Sequence, residues 1–161
     1  MSDWQQRVDA VWGTAATHGE ERTLAAILAL AAERPADDPL ALYETAGAYD
    51  FAGREAEAEP FYRRALDAGL SDPERSRATV QLASTLRNLD RPQEAVELLR
   101  DLLAADPDGP LAPDARAFAA LALHDLGLHA EALREALVTL APHLGRYGRA
   151  VTAYADELDD E

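Results

Sequence analysis

The chain of 161 residues contains no cysteine. This absence excludes disulfide bonds, thiolate nucleophiles and zinc sites with cysteine ligands. Lysine is absent as well, so all 15 basic residues are arginine, and a nucleotide-binding loop of the Walker type, which needs a lysine, is excluded. No apolar run approaches the roughly 18 residues that span a membrane. Since the N-terminus also lacks the basic start and apolar run of a signal peptide, we expect a soluble, cytoplasmic protein.

Basic residues are outnumbered by acidic ones, 15 to 30, which gives a formal net charge of −15. Binding to nucleic acid depends on clustered positive charge, so this balance argues against a nucleic-acid partner. It equally argues against docking on an anionic membrane. Hydrophobic residues make up 48% of the chain, enough for a packed core. The length fits a single domain over residues 1–161.

Residues with catalytic or metal-binding chemistry are few and poorly spaced. The four histidines do not show the H-E-x-x-H pattern, and His124 and His129 are five residues apart, a spacing that predicts side chains on different helix faces. No serine lies in a nucleophile-elbow motif. The abundant carboxylates are typical of solvated helix faces and helix caps. We therefore expect no enzyme activity, no metal and no cofactor.

A repeat organises the chain. Ala58, Ala95 and Ala132 each lie five residues after the start of a turn motif, and 37 residues separate one from the next. The same register aligns two further sets of positions: Ala46, Ala83 and Ala120, and Tyr62, Leu99 and Ala136. Apolar residues within each unit recur at helical spacing. Each unit is therefore predicted to be two antiparallel helices, with alanine where the helices cross closely.

The repeat resembles the tetratricopeptide repeat, a helix pair with a small residue and then an aromatic in the first helix, glycine at the turn, and alanine followed by an aromatic in the second. The best copy consists of Leu42, Ala46, Tyr49, Gly53, Ala58, Tyr62, Ala65 and Leu66. The resemblance implies an all-α fold, a right-handed α-α superhelix of about four helix pairs. The family period is about 34 residues, whereas the spacing here is 37.

The predicted organisation follows from this register. It comprises a degenerate first pair at 4–34, with helices at about 3–17 and 20–33, repeat pairs at 39–68, 72–105 and 113–141, and a capping helix at 146–158. The capping helix is predicted from an apolar stripe of Tyr147, Val151, Tyr154 and Leu158, which we expect to lie against the last pair. Pro60 lies about five residues into its helix and predicts either a late start or a kink.

The resemblance also implies a binding surface, because the first helices of such repeats form a concave wall that holds a segment of a partner protein. The register places nine residues of interest on this wall: Tyr43, Phe51, Arg77, Val80, Ser84, Arg87, Asn88, Leu121 and His124. Arginine binds carboxylates with two parallel hydrogen bonds, and arginine with aromatic residues is typical of interface anchors. An alternative is that these arginines form ion pairs within the protein, Arg77 with Asp114, and Arg87 with Asp50 or Asp125.

Three functions remain open from the sequence. The first is a non-catalytic scaffold that binds a protein or peptide partner in the concave groove. The second is a homodimeric module in which Tyr43, Phe51 and the end bearing Trp4 and Trp12 bury against another copy. The third, which the sequence favours least, is a small enzyme or metal-dependent regulator built from His124 and nearby carboxylates.

Overall fold

The computed structural model describes residues 2–160, and over this range it contains helices and no strands. The predicted all-α class is confirmed. The α-helices are α1 (Asp3–Gly13), α2 (Ala15–His18), α3 (Glu20–Ala31), α4 (Pro39–Phe51), α5 (Glu55–Asp67), α6 (Glu74–Asn88), α7 (Pro92–Ala105), α8 (Ala112–Asp125), α9 (His129–Leu140) and α10 (Gly148–Asp156). Two short 3-10 helices, Ala141–His143 and Glu157–Asp160, precede and follow α10.

Helix ends carry the expected local signals. Asp38 caps α4, since its side chain accepts a hydrogen bond from the backbone N–H of Ala41 at 2.9 Å, and Pro39 occupies the first turn where its missing N–H costs nothing. The turns within the three repeats share one backbone conformation. Gly53, Asp90 and Gly127, spaced by 37 residues, all have positive φ, of 66°, 58° and 78°. Aspartate is one of the few residues that tolerates this left-handed conformation besides glycine.

Two local predictions differ from the structure. The helix expected at about 3–17 is interrupted at Thr14, which separates α1 from α2. The Thr14 hydroxyl donates to the carbonyl of Val11 at 3.1 Å, a local bond by which threonine competes with the continuing helix. The second case is Pro60. A late start is wrong, because α5 begins at Glu55 and contains Pro60.

The chain divides into two compact units, the first ending at Thr85 and the second beginning at Leu86. In the first unit α1 packs against α3, α3 against α4, and α4 against α5. Its core includes Trp4, Val8, Leu24, Ile27 and Leu30. The alanines Ala46 and Ala58 are fully buried, which fits their predicted place at a close helix contact.

In the second unit α7 packs against α8, α8 against α9, and α9 against α10. Ala95, Val96 and Leu99 from α7 are buried here, as is Leu123 from α8. Methyl-sized side chains again lie where helices approach, which explains why alanine recurs at 37-residue intervals.

Candidate protein-binding surfaces

In the first unit a partly buried hydrogen-bond network connects α4, one of the helices of the predicted binding wall, to α5 and α6. The hydroxyl of the fully buried Tyr62 donates to Asp50 Oδ2 at 3.3 Å. The hydroxyl of Thr85 donates to Asp50 Oδ1 at 3.1 Å. Burial raises the pKa of Asp50, while these two hydrogen bonds act in the opposite direction. The carboxylate is thus held between α5 and α6.

The aromatic ring of Trp12 covers another part of α4. Its Nε1–H donates to Glu44 Oε2 at 2.6 Å, and its ring meets the edge of Phe51 at a centroid distance of 5.9 Å. Gly47 lies beneath it, where a Cβ atom would be 3.6 Å from the Trp12 ring. Burial raises the pKa of Glu44, and the bond from Trp12 opposes that rise. Trp12 and Glu44 were not among the predicted wall residues. The signal in the sequence is Gly47, a small residue that aligns with Ser84 in the repeat and leaves room for a large ring.

The structure places the first unit's predicted wall residues at different depths. Tyr43 is half-buried with its ring 6.4 Å from that of Tyr62, and Phe51 is exposed. Arg77 is exposed and contacts Glu74 at 3.3 Å, rather than serving as a buried structural ion pair. Ser84 is half-buried. Val80 is buried and belongs to the core beneath the surface.

Tyr43 and Arg77 are close enough to interact electrostatically. Burial raises the pKa of Tyr43 to about 12, Glu44 adds to the rise, and the positive charge of Arg77 opposes it. The Tyr43 hydroxyl therefore stays protonated at neutral pH and can donate a hydrogen bond. A phenol that donates beside an exposed guanidinium forms a local patch that suits a carboxylate.

In the second unit the predicted wall residues divide into an ion pair and an apolar groove. Arg87 Nε lies 2.5 Å from Asp125 Oδ2, as one of the alternatives drawn from the sequence proposed. Asn88 is exposed. Leu121 and His124 lie in a groove between α8 and α9 with a volume of about 540 Å³. The groove is lined by Ala117, Ala120, Leu121, His124, His129, Ala132, Leu133, Ala136 and Thr139.

The histidines of this groove correct the spacing argument. His124 lies in the last turn of α8 and His129 begins α9, and their ring centroids are 4.8 Å apart. The prediction that the two side chains diverge was wrong because it treated them as members of one helix. A turn lies between them and returns the chain, so five residues of separation bring the rings together. His129 and Leu133 also line the groove, although neither was among the predicted wall residues.

The homodimer surface predicted from the sequence included Trp4 and Trp12, but both side chains face inward. Trp4 is buried in the first unit's core, and its Nε1–H donates to the carbonyl of Leu30 at 2.8 Å. Arg34 stacks on the Trp4 ring at 4.8 Å. Trp12 is bonded to Glu44, as described above. Neither ring is therefore a free anchor for a second copy, since both already pack within their own chain.

Within the part of the chain that the structure describes, no cluster of three histidine, aspartate or glutamate side chains could hold a metal ion. The helices found between residues 2 and 160 include none that is long and apolar enough to cross a membrane.

Comparisons with known proteins show which repeat proteins this helix arrangement resembles. A family described as "Tetratrico peptide repeat" matches residues 39–158. The structure resembles the TPR-like repeats of a putative kinesin light chain from Podosopora anserina, with a TM-score of 0.73, 18% identity, and coverage of 97% of this chain and 86% of that one. It also resembles YrrB, a TPR protein with an unusual peptide-binding site, with a TM-score of 0.58, 19% identity, and coverage of 96% and 86%. Curated protein sequences gave no match.

Proposed function

The chain belongs to the tetratricopeptide repeat family, and we propose that it is a non-catalytic scaffold that binds a segment of a partner protein. The proposed surface is the part of the predicted wall that lies in the first unit, from Tyr43 to Ser84. The repeat fold supports the general role, since stacked helix pairs leave long surfaces suited to recognition. YrrB is described as having a peptide-binding site on the same fold. The cytoplasmic location expected from the sequence stays a prediction.

The observation that carries this proposal is the pair formed by Tyr43 and Arg77 in the first unit, together with the exposed ring of Phe51 about two turns further along α4. Phe51 offers an exposed aromatic ring, Tyr43 a protonated hydroxyl, and Arg77 a guanidinium whose side chain is 55% exposed. The underlying network of Tyr62, Asp50 and Thr85 holds α4 in place, so the patch loses little conformational freedom on binding. Such preorganised aromatic and arginine groups are typical of binding hot spots.

The chemistry of the patch indicates the partner. Phe51 lies eight residues beyond Tyr43 on α4, about 12 Å along the helix. A segment with a carboxylate and an apolar anchor a few residues apart can therefore bond Arg77 and bury its anchor against Phe51. The formal charge of −15 repels most other anionic ligands, so only a segment that reaches the arginine overcomes the repulsion. Both arginines have a carboxylate partner, but the Arg87–Asp125 contact is shorter, 2.5 Å against 3.3 Å for Arg77–Glu74, and the side chain of Arg87 is 29% exposed against 55% for Arg77. We therefore place the decisive charge at Arg77.

The test uses fluorescent peptides in which one aspartate or glutamate is three to five residues from one leucine or phenylalanine, with binding measured by anisotropy. We expect Arg77→Ala to weaken binding by about 1–3 kcal/mol, the scale for losing a hydrogen bond to a charged group. The matched control is Arg100→Ala. Its side chain is 58% exposed and is likewise paired with a glutamate, Glu131, yet it lies outside the predicted wall.

A partner captured with the folded chain and identified by mass spectrometry extends the same comparison. Arg77→Ala should reduce its capture and Arg100→Ala should not. Equal binding by both variants, to the peptides and to the partner, would show that recognition uses another surface.

A further inference from the structure

The last helix pair, α8 and α9, leaves open a face that is closed one repeat earlier. In α7, Val96 is 1% exposed and Leu99 is fully buried, in a unit where α8 packs against α7. The positions 37 residues later in α9 are Leu133, which is 49% exposed, and Ala136, also exposed. These residues line the groove of about 540 Å³. The groove therefore corresponds, one repeat later, to the surface against which the next helix of the repeat packs.

The helix that follows in the chain, α10, does not fill this groove. It packs against α9 through the side that carries the fully buried Ala155, and Asp156 binds Arg134 at 3.0 Å. Gly148 fixes its start, because a Cβ atom there would lie 2.4 Å from the carbonyl oxygen of Ala141. Neither Arg134 nor Ala141, the residues named in these contacts, lines the groove. The groove stays open although a helix is present beside it.

Because α10 packs through Ala155, its predicted apolar stripe is not its buried side. Val151 and Leu158 are half-buried at the edge of the contact, but Tyr147 is 66% exposed and Tyr154 is 67% exposed. The outward face carries Tyr147, Ala150, Tyr154 and Glu157, all of them exposed, at spacings of three and four residues that align them along one side. This outward face is amphipathic. Among the described contacts of α10, no other element covers it.

The groove and the outward face of α10 are complementary in chemistry. The nine lining residues of the groove include no carboxylate, although the chain has 30, and its polar end is formed by His124 and His129. The outward face of α10 offers two aromatic rings and ends at Glu157. Histidine can donate a hydrogen bond to a carboxylate, and aromatic rings fill apolar grooves well.

The direction of the helices also fits. Consecutive helices of the repeat are antiparallel, so a helix received by α9 runs with its C-terminal end toward the start of α9, where His129 lies. In that orientation Glu157, at the end of α10, comes to the histidine pair. Tyr154 then lies one turn earlier, beside Leu121 and Leu133.

We propose that a second copy of this chain binds here, with the outward face of its α10 in the groove between α8 and α9. The interaction goes beyond the proposed partner binding and uses neither Tyr43, Phe51 nor Arg77. It also differs from the homodimer drawn from the sequence, because that surface included Trp4 and Trp12. Association is opposed by the net charge of −15, so added salt strengthens it by screening the repulsion.

The first measurement is the mass of the full chain by sedimentation from low to high micromolar concentration. We expect a concentration-dependent rise above the mass of one chain, larger at higher salt. A chain that keeps the single-chain mass at every concentration would overturn the proposal.

Two variants then test each side of the contact. Leu133→Asp changes the groove, Tyr154→Asp changes the α10 face, and each should raise the dissociation constant by at least about tenfold. Leu128→Asp is the control, because Leu128 is 42% exposed but lies outside both surfaces. Unchanged association of Leu133→Asp or Tyr154→Asp, or equal loss in the control, would contradict the assignment.

Mixing the two impaired variants gives the decisive result. The Leu133→Asp chain keeps an intact α10 face and the Tyr154→Asp chain keeps an intact groove. At a concentration at which each variant alone stays at the single-chain mass, the mixture should therefore form a two-chain particle. This recovery cannot come from misfolding of either variant. A mixture that stays at the single-chain mass would show that the groove and α10 do not bind each other. Peptide binding at Arg77 should be unaffected in both variants, which separates this test from that of the proposed function.

Discussion

The helix pairs α4–α5 and α8–α9 follow the same repeat plan but differ in what their shared positions do. In α5, Tyr62 is fully buried, contacts the ring of Tyr43 and bonds Asp50. The equivalent residue 74 positions later is Ala136, which is exposed and lines an open groove. The backbone turn between the helices is unchanged, since Gly53 and Gly127 have φ of 66° and 78°. The repeat therefore determines where the helices run, whereas side-chain size and the presence of a following helix determine whether a face becomes core or surface.

The same comparison explains where polar groups are buried. The first unit encloses Glu44 and Asp50, and each is held by donors from neighbouring helices. Both have a pKa raised by burial, so enclosing them has a free-energy cost that the aromatic packing around them must offset. In the second unit the face of α8 and α9 is lined by alanine, leucine and histidine, and it stays accessible. In the first unit the enclosed network supports the residues proposed for partner binding, whereas in the second unit the open groove is itself the exposed surface.

The largest expected effect on stability comes from truncating Tyr62, the side chain that packs between α4 and α5. Tyr62→Ala should lower the free energy of unfolding by about 3–5 kcal/mol, because it leaves a cavity and removes one donor from Asp50. Tyr154→Ala is the matched control and should change it by less than about 0.5 kcal/mol, since Tyr154 is exposed. Denaturant unfolding followed by circular dichroism measures both. Similar losses for the two tyrosines would mean that Tyr62 does not close the pair.

A smaller effect is expected where alanine marks the helix contacts. Ala95→Leu should destabilise the protein by about 1–3 kcal/mol through overpacking, because Ala95 is 1% exposed within the second unit. Ala132→Leu introduces the same change 37 residues later, beside the open groove, where the added atoms can enter free space. We expect Ala132→Leu to lower the free energy of unfolding by clearly less than Ala95→Leu does. The thermal midpoints of the two variants provide the comparison, and an unchanged midpoint for Ala95→Leu would show that the repeat register is wrong.

Much of the fold could be predicted because one repeat register accounts for residues at many positions at once. Ala46, Ala58 and Ala95 lie buried at the expected intervals, and the family match and all-helical structure confirm the class. The candidate surfaces were harder to predict, since they depend on contacts between helices that no periodicity encodes. Nothing in the periodicity indicates that the side chain of Trp12 reaches Glu44. The side of α10 that packs could not be read from its apolar stripe, because the small Ala155 and Gly148 permit closer approach than tyrosine does.

The smallest expected effect concerns the two arginines, one in each unit, that the register placed on one wall. If Arg87 serves Asp125 rather than a partner, a double-mutant cycle of Arg87→Ala and Asp125→Ala should give a coupling of about 0.2–1 kcal/mol, the range for partly exposed pairs. The cycle of Arg77→Ala and Glu74→Ala should give less, because that contact is longer at 3.3 Å and more exposed. Urea unfolding of the four variants of each cycle measures both couplings. The opposite order would show that Arg77 is the structural arginine, and the charge offered to a partner would then have to come from Arg87.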